Sequence, residues 1–205
     1  MENQKRALIE ELKSDGLLKN KKILKSFEKV PRESFVQKEY KKFAYLNQPL
    51  PIPEGQFISQ PFTVIAMTGA LDIQEGHKIL EVGSGSGYQA AILSELVGEN
   101  GKVFTIEVLE TLKNLAEKNL SRYKNVKVIL GDGSKGYSKE APYDRIIVAA
   151  SAQEMPRNLI KQLKDKGKMV IPVGSEMYVI EKRGQKLETK MIGYYSFVPL
   201  VEKGK

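Results

Sequence analysis

Five short apolar runs, spaced by helical patterns, occupy the middle of the chain. They are KILEVG (78–83), KVFTIEV (102–108), VKVILGDG (126–133), DRIIVAA (144–150) and GKMVIPVG (167–174). Each is nearly continuous in Val, Ile and Leu instead of alternating, which suits strands covered on both faces. Helical stretches at 86–97, 109–122 and 156–164 separate them. Alternation of this kind builds a parallel sheet through βαβ crossovers. Two more extended segments, MYVIEKRG and LETKMIGYYSFVPL, flank Gly184-Gln185 and predict an antiparallel hairpin at the sheet edge.

Ahead of this pattern, residues 2–14 and 20–29 read as amphipathic helices broken at Asp15-Gly16. The first is expected to bury Ala7, Leu8 and Leu12, the second Ile23, Leu24 and Phe27, and Pro31 ends the second. Residues 32–58 read as irregular, because three prolines and a glycine fall between Pro49 and Gly55. A loop this long in a compact domain is more often functional than idle. Helical pattern resumes over 61–71, with Pro61 at its start. The expected fold is α/β: a doubly wound, Rossmann-like, mostly parallel seven-stranded sheet with helices on both faces. An N-terminal helical extension and a C-terminal antiparallel hairpin complete it. One domain over 1–205 is expected, with helices and a substrate loop at 1–60, an α/β core at 61–174 and closing strands at 175–205.

The composition excludes several chemistries. There is no cysteine, hence no disulfide, no Cys–Zn site and no thiol nucleophile. The single histidine, His77, lies in a turn before a strand beside Lys78, a poor setting for a catalytic triad. No metal site is expected. No apolar run approaches the ~20 residues of a membrane span, and the N-terminus lacks the apolar core of a signal peptide. A cytoplasmic location is expected, with no membrane partner. The net charge of +8 is uneven: +5 over 1–45, −3 over 46–156 and +6 over 157–205. The basic flanks carry no aromatic interleaving, so they read as Lys-rich solvated surface and no stable nucleic-acid partner is expected. A monomer is expected.

The strand ends carry the chemistry. The first strand runs into EVGSGSGYQAA, with Gly83, Gly85 and Gly87 spaced G-x-G-x-G. The dinucleotide fingerprint would place its third glycine at Tyr88, so a diphosphate cradle is not met, and there is no P-loop lysine. The second strand ends at Glu107, whose carboxylate can accept from both hydroxyls of a ribose, or can be a surface acid. The third ends in Gly131-Asp132-Gly133, where Asp132 can accept from an adenine amine or close an Asx-turn. In a doubly wound sheet these three ends lie side by side. One ligand touching all three has a ribose and an adenine but no diphosphate, a description S-adenosyl-L-methionine fits. Glu81, two residues before Gly83, is the usual acidic residue of such a loop.

GQFISQPF (55–62) holds a single hydroxyl, Ser59, and no charge. On local rules Ser59 is a helix cap ahead of Pro61. The alternative is a residue that faces a substrate.

ILEVGSGSGYQAAILSELVG resembles motif I of class I S-adenosylmethionine-dependent methyltransferases. VPRESFV, PLPIPEGQFISQPF, GDGSKGYSKEAPYDRIIVAAS, MPRNLIKQLKDKGKMVIPVG and FVPL resemble, in order, segments of the protein-L-isoaspartate (D-aspartate) O-methyltransferase family. The resemblance covers roughly residues 30–200. It implies transfer of a methyl group from S-adenosyl-L-methionine to the free α-carboxylate of isoaspartyl residues in damaged proteins and peptides, the first step of repair through a succinimide. It also implies a set of site residues. Ser59 is carried over as the catalytic-site residue. Phe57, Ile58, Gly83, Ser84, Gly85, Gly87, Glu107, Val108, Asp132 and Gly133 are carried over as cofactor contacts, the first two through backbone. Leu50, Pro51, Ile52, Val198 and Pro199 are carried over as substrate contacts. There are departures: Phe57 stands where the family motif has Thr, Tyr45-Leu46-Asn47-Gln48 replaces a more acidic stretch, and Ala149 stands where many relatives have Thr or Gly.

Two rival readings remain. A small-molecule or RNA methyltransferase is one, but an adenine N6 enzyme needs an N/D-P-P-Y/F segment where this chain has AASAQEMP. A non-catalytic relative that only binds the cofactor is the other, with Phe57 its best argument.

Overall fold

The computed structural model of the chain describes residues 1–16, 18 and 20–201. Two helices open it, α1 (Glu2–Ser14) and α2 (Lys21–Lys29). Helix α1 buries Leu8, Ile9 and Leu12. Leu8 and Leu12 are buried as expected, whereas Ala7 is exposed and Ile9 takes its place on the apolar stripe. In α2, Ile23 and Phe27 are buried with Ser26, whereas Leu24 is only half-buried. The segment expected to be irregular contains 3-10 turns and one small antiparallel pair, β1 (Leu50–Pro51) and β2 (Phe57–Ile58). Pro51 is tolerated because a two-stranded ribbon is all edge. Helix α3 (Pro61–Ala70) follows.

The alternation then runs β3 (Lys78–Val82), α4 (Tyr88–Val97), β4 (Lys102–Glu107), α5 (Glu110–Asn119), β5 (Val126–Leu130), β6 (Tyr143–Val148), α6 (Arg157–Lys161), β7 (Leu163–Val173), β8 (Glu176–Arg183) and β9 (Lys186–Tyr194). The seven strands from β3 onward form one sheet in the order β5-β4-β3-β6-β7-β8-β9. The first five are parallel; β7-β8 and β8-β9 are antiparallel. The chain moves outward from β3 to β5, then crosses back to lay β6 beside β3. That reversal opens a crevice at the carboxyl ends of the central strands, the usual ligand position in such sheets.

Successive residues feed opposite faces. Ile79 and Val103 join a core packed by α1 to α5, whereas Leu80 and Phe104 join the second. The second face is thinly covered, by five-residue α6 and by Tyr137, Met155 and Leu200. Three elements differ from expectation. Strand β5 is a sheet edge in which Lys127 and Leu130 are exposed and the other three residues only half-buried, not a doubly covered strand. Helix α6 is shorter than the pattern over 156–164, because β7 already begins at Leu163. The register of β7 shifts against β6 between Tyr143 and Arg145, and Lys166 takes a positive φ of 58°, so a bulge hides the strand's first half from a period-two reading. Arg145, buried in β6, donates to the carbonyls of Leu71 and Asp72 and ties the end of α3 to the sheet.

Candidate active site

The loop from Val82 to Tyr88 turns the first central strand into α4. Gly83, Gly85 and Gly87 all have positive φ (92°, 52° and 88°), a region open to glycine and strained for other residues. At Gly87 space forbids a side chain as well, since a Cβ would lie 2.9 Å from Leu120. The amides of Gly83 and Ser84 donate to the Ile106 carbonyl at 2.9 and 3.2 Å. Ser84 Oγ and Thr105 Oγ1 share a hydrogen bond of 2.6 Å.

Glu107 braces this loop from the end of β4. Its Oε2 accepts from Gly85 N at 2.9 Å, and Oε1 accepts from Val108 N and Leu109 N at 2.9 and 3.2 Å. Each carboxylate oxygen has two lone pairs; Oε1 has both taken, so one acceptor site remains on Oε2 for a ligand hydroxyl. Glu81 lies deeper, fully buried in β3, and neither of its carboxyl oxygens has a hydrogen-bond partner among the described residues. Burial pushes its carboxyl up to about 8, with Thr105 opposing the shift and the Glu107 charge adding to it.

Asp132 sits just beyond β5. Its Oδ1 accepts from Ser134 N at 3.0 Å and from Ser134 Oγ at 2.6 Å, and Lys135 Nζ lies 3.4 Å from Oδ2. This is an Asx-turn opening the 3-10 turn 133–135. Gly133 lines the cleft, whereas Asp132 stands behind it. The approach at Gly133 is close enough that a Cβ would meet Val82 Cγ1 at 2.4 Å.

The other wall is the 50–60 loop. Leu50 pairs with Ile58 and Pro51 with Phe57. Leu50, Ile52 and Ile58 are buried, and Phe57 is 52% exposed. A Cβ on Gly85 would lie 3.4 Å from Ile52 Cδ1, so the hairpin leans on the glycine loop. Leu50, Pro51 and Ile52 thus lie behind the cleft surface, while Phe57, Ile58 and Ser59 are on it. Ser59 does not cap α3: its N-cap residue is Gln60, with no side-chain cap. Instead Asn47 Oδ1 accepts from Phe62 N at 3.0 Å, and Asn47 Nδ2 donates to Glu11 Oε1 at 2.7 Å, tying α3 to α1. The chain also brings residues 198–201 here, because Ser151 N donates to Val198 O and Leu200 N to Ser151 O, both at 2.8 Å.

Arg32 supports this wall from within. It is fully buried, donates through Nε to Ala44 O at 2.9 Å, and holds its guanidinium carbon 5.0 Å from the Tyr88 ring centre. Tyr88 in turn lines the cleft. Sequence reasoning missed Arg32 and Asn47. For Arg32 a signal existed, a lone cation between Val30-Pro31 and Phe35-Val36; for Asn47 there was none.

Together these walls enclose about 320 Å³. Gln56, Phe57, Ser59, Met67, the 83–86 turn, Tyr88, Glu107–Leu109, Leu112, Gly133, Ala149, Ala150 and Val198–Val201 contribute to the lining. Among the described residues lining it, Glu107 alone is charged. His77 is at the amino end of β3, away from the cleft, where Nδ1 accepts from Gln74 N at 3.1 Å. The residues present fit S-adenosylmethionine: Val108, Leu109, Leu112 and Gly133 offer apolar surface to a purine, Glu107 Oε2 offers an acceptor to a ribose hydroxyl, and the glycine turn leaves room for close backbone approach.

Comparison with known proteins agrees with that geometry. The sequence profile of the protein-L-isoaspartate(D-aspartate) O-methyltransferase family matches residues 3–205. Protein-L-isoaspartate O-methyltransferase of Ignicoccus hospitalis is 47% identical over 210 residues, covering 99% of this chain and 100% of the relative. That of Methanopyrus kandleri is 46% identical over 202 residues, covering 95% and 89%. A solved protein-L-isoaspartate O-methyltransferase superposes with a TM-score of 0.89 at 28% identity over 97% of this chain, which spans 66% of that protein. A Plasmodium falciparum structure described as such an enzyme in complex with S-adenosyl-L-homocysteine superposes with a TM-score of 0.83 at 25% identity, covering 95% of this chain and 97% of the other. Cleft, fold and near full-length identity converge: the chain belongs to the protein-L-isoaspartate (D-aspartate) O-methyltransferase family.

Proposed function

We propose that this protein transfers a methyl group from S-adenosyl-L-methionine to the free α-carboxylate of L-isoaspartyl residues, initiating repair of damaged proteins and peptides through a succinimide. The observation that carries this reading is the near absence of charge from the cleft. A carboxylate acceptor is already anionic at neutral pH, since its pKa lies near about 3–4. No base is needed, and the one charged group among the described lining residues, the Glu107 carboxylate, is engaged by three backbone amides. A lysine or arginine there would hold the acceptor in a tight ion pair and blunt its nucleophilicity.

When bound, S-adenosylmethionine supplies an electrophilic methyl on a sulfonium sulfur. The chain's own residues do the rest by alignment. Ser59 donates its hydroxyl to the acceptor carboxylate and orients one oxygen, a task left to it because Asn47 caps α3. Glu107 and the 83–87 turn hold the nucleoside end, with Val108 and Gly133 against the purine. Phe57 and Ile58 flank the cofactor through backbone, and Val198 and Pro199 bear on the peptide. Leu50, Pro51 and Ile52 support the peptide wall from behind. Asp132 orders the turn that presents Gly133.

The same reading makes the protein a cytoplasmic monomer with isoaspartyl-containing proteins and peptides as partners. Among the described residues no helix is long and apolar enough to cross a membrane.

Purified protein given methyl-labelled S-adenosylmethionine should label an isoaspartyl peptide and leave its aspartyl twin unlabelled. Equal labelling of the twins, or none of either, would refute the assignment.

A further inference from the structure

We propose that Phe57 is a specificity-determining residue: with Pro199 and Val201 it forms an apolar mouth that selects isoaspartyl sites flanked by an apolar side chain. The inference rests on the methyl-transfer reading of the cleft and names the substrate class within it.

Exposure alone does not single Phe57 out, since isolated exposed apolar residues are ordinary. Its placement does. The pairing of β1 with β2 fixes backbone direction, and alternation along β2 sends Ile58 into the core and Phe57 outward. The aromatic ring therefore has no path into the protein interior without breaking that pair. It stands two residues from Ser59 on the lining of the same cleft. Residues two apart in extended chain are about 6.6 Å apart, a separation that the side chain next to a bound isoaspartate can span. Pro199 and Val201, both exposed, line the same cleft, joined by half-buried Val198 and Leu200. The Ser151 pairing that seats residues 198–200 is backbone to backbone and holds this part of the mouth in place.

The chemistry of the mouth decides what it selects. Glu107, the one charge among the described lining residues, already accepts from three backbone amides. Nothing else there rewards a charged flanking residue, and desolvating one beside an aromatic ring is costly. An apolar flanking residue instead buries its own surface and that of Phe57 together. The small polar Thr that the family motif carries at this position offers no such surface.

The test uses full-length protein and two series of isoaspartyl peptides, with Leu or Ser placed before or after the isoaspartate. For the native protein the ratio of kcat/KM, Leu over Ser, is expected to be about tenfold at one flanking position, or about 1.4 kcal/mol. In Phe57→Thr the ratio should fall to within about twofold, and Phe57→Leu should restore most of it. A native ratio near one, or a ratio unchanged in Phe57→Thr, overturns the inference while leaving methyl transfer intact. A Phe57→Thr effect confined to the KM of S-adenosylmethionine, equal for both series, also overturns it, because the ring would then serve the cofactor. Failure to label any isoaspartyl peptide brings down both readings at once.

Discussion

The two walls of the cleft are built by different means. The cofactor wall grows out of the sheet: the glycine turn hangs on the Ile106 carbonyl, and Glu107 gathers three amides at a strand end. Every anchor lies on a neighbouring strand of the core. The acceptor wall has no such scaffold. Two residue pairs make its only ribbon among the described residues, and it is held from outside by Asn47, Arg32 and the Ser151 bridge. The cofactor end is thus shaped by fold topology, whereas the acceptor end is shaped by side chains that reach across from other segments. A methyltransferase scaffold can keep the first and vary the second, which is where new acceptors would be accommodated.

The sharpest way to break that division is to injure each wall separately. Glu107→Gln should weaken binding of S-adenosylmethionine about 100-fold by calorimetry, because one oxygen becomes an NH₂ facing backbone donors. Ser59→Ala should lower turnover of an isoaspartyl peptide about 100-fold while cofactor affinity stays within about twofold. Loss of cofactor binding in Ser59→Ala would merge the two walls into one. Next in size, Arg32→Met should cost about 3 kcal/mol in denaturant unfolding, since it orphans the Ala44 carbonyl and unpacks Tyr88.

Glu81 provides a pH test of the cofactor side. Its folded carboxyl titrates near 8 against an ordinary 4.5, so the folded state keeps a proton that the unfolded state releases. Stability from this group is therefore greatest below pH 4.5, falls as pH rises, and levels off above about 8, with a slope of at most about 1.4 kcal/mol per pH unit. Glu81→Gln stays neutral throughout, so it should gain on the native protein steadily across that window in chemical unfolding. A difference independent of pH would mean that Glu81 is ionised in the fold. The smallest effect belongs to Asn47→Ala, about 1 kcal/mol of stability for a lost helix cap, accompanied by weaker peptide binding and unchanged cofactor binding.

The same division explains what could be read in advance. Strands β3, β4 and β6 announced themselves because doubly covered strands are runs of Val, Ile and Leu. The glycine turn and Glu107 follow from strand ends, so they too are local signals. Strand β5 read as fully covered because its apolar content does not reveal that it is an edge. Strand β7 was truncated because its bulge breaks the pattern. On the acceptor wall, local rules made Ser59 a cap, as a serine ahead of Pro61 should be. Only the fold brings Asn47 to do that work from fifteen residues upstream. Arg32 carried a local hint, a lone cation among apolar residues, but not the identity of its partners; Asn47 carried none, since its partners are distant in sequence and no periodicity encodes them.

A cleft with so little charge has a consequence for the medium it works in. At physiological ionic strength attraction between exposed charges fades over about 8 Å, so enzymes that grip their substrates by ion pairs lose affinity as salt accumulates. Here Glu107 is the one charge among the described lining residues, so dissolved ions have little to screen. Methylation of an isoaspartyl peptide should therefore hold nearly level from dilute buffer to concentrated salt, where contacts built on ion pairs weaken.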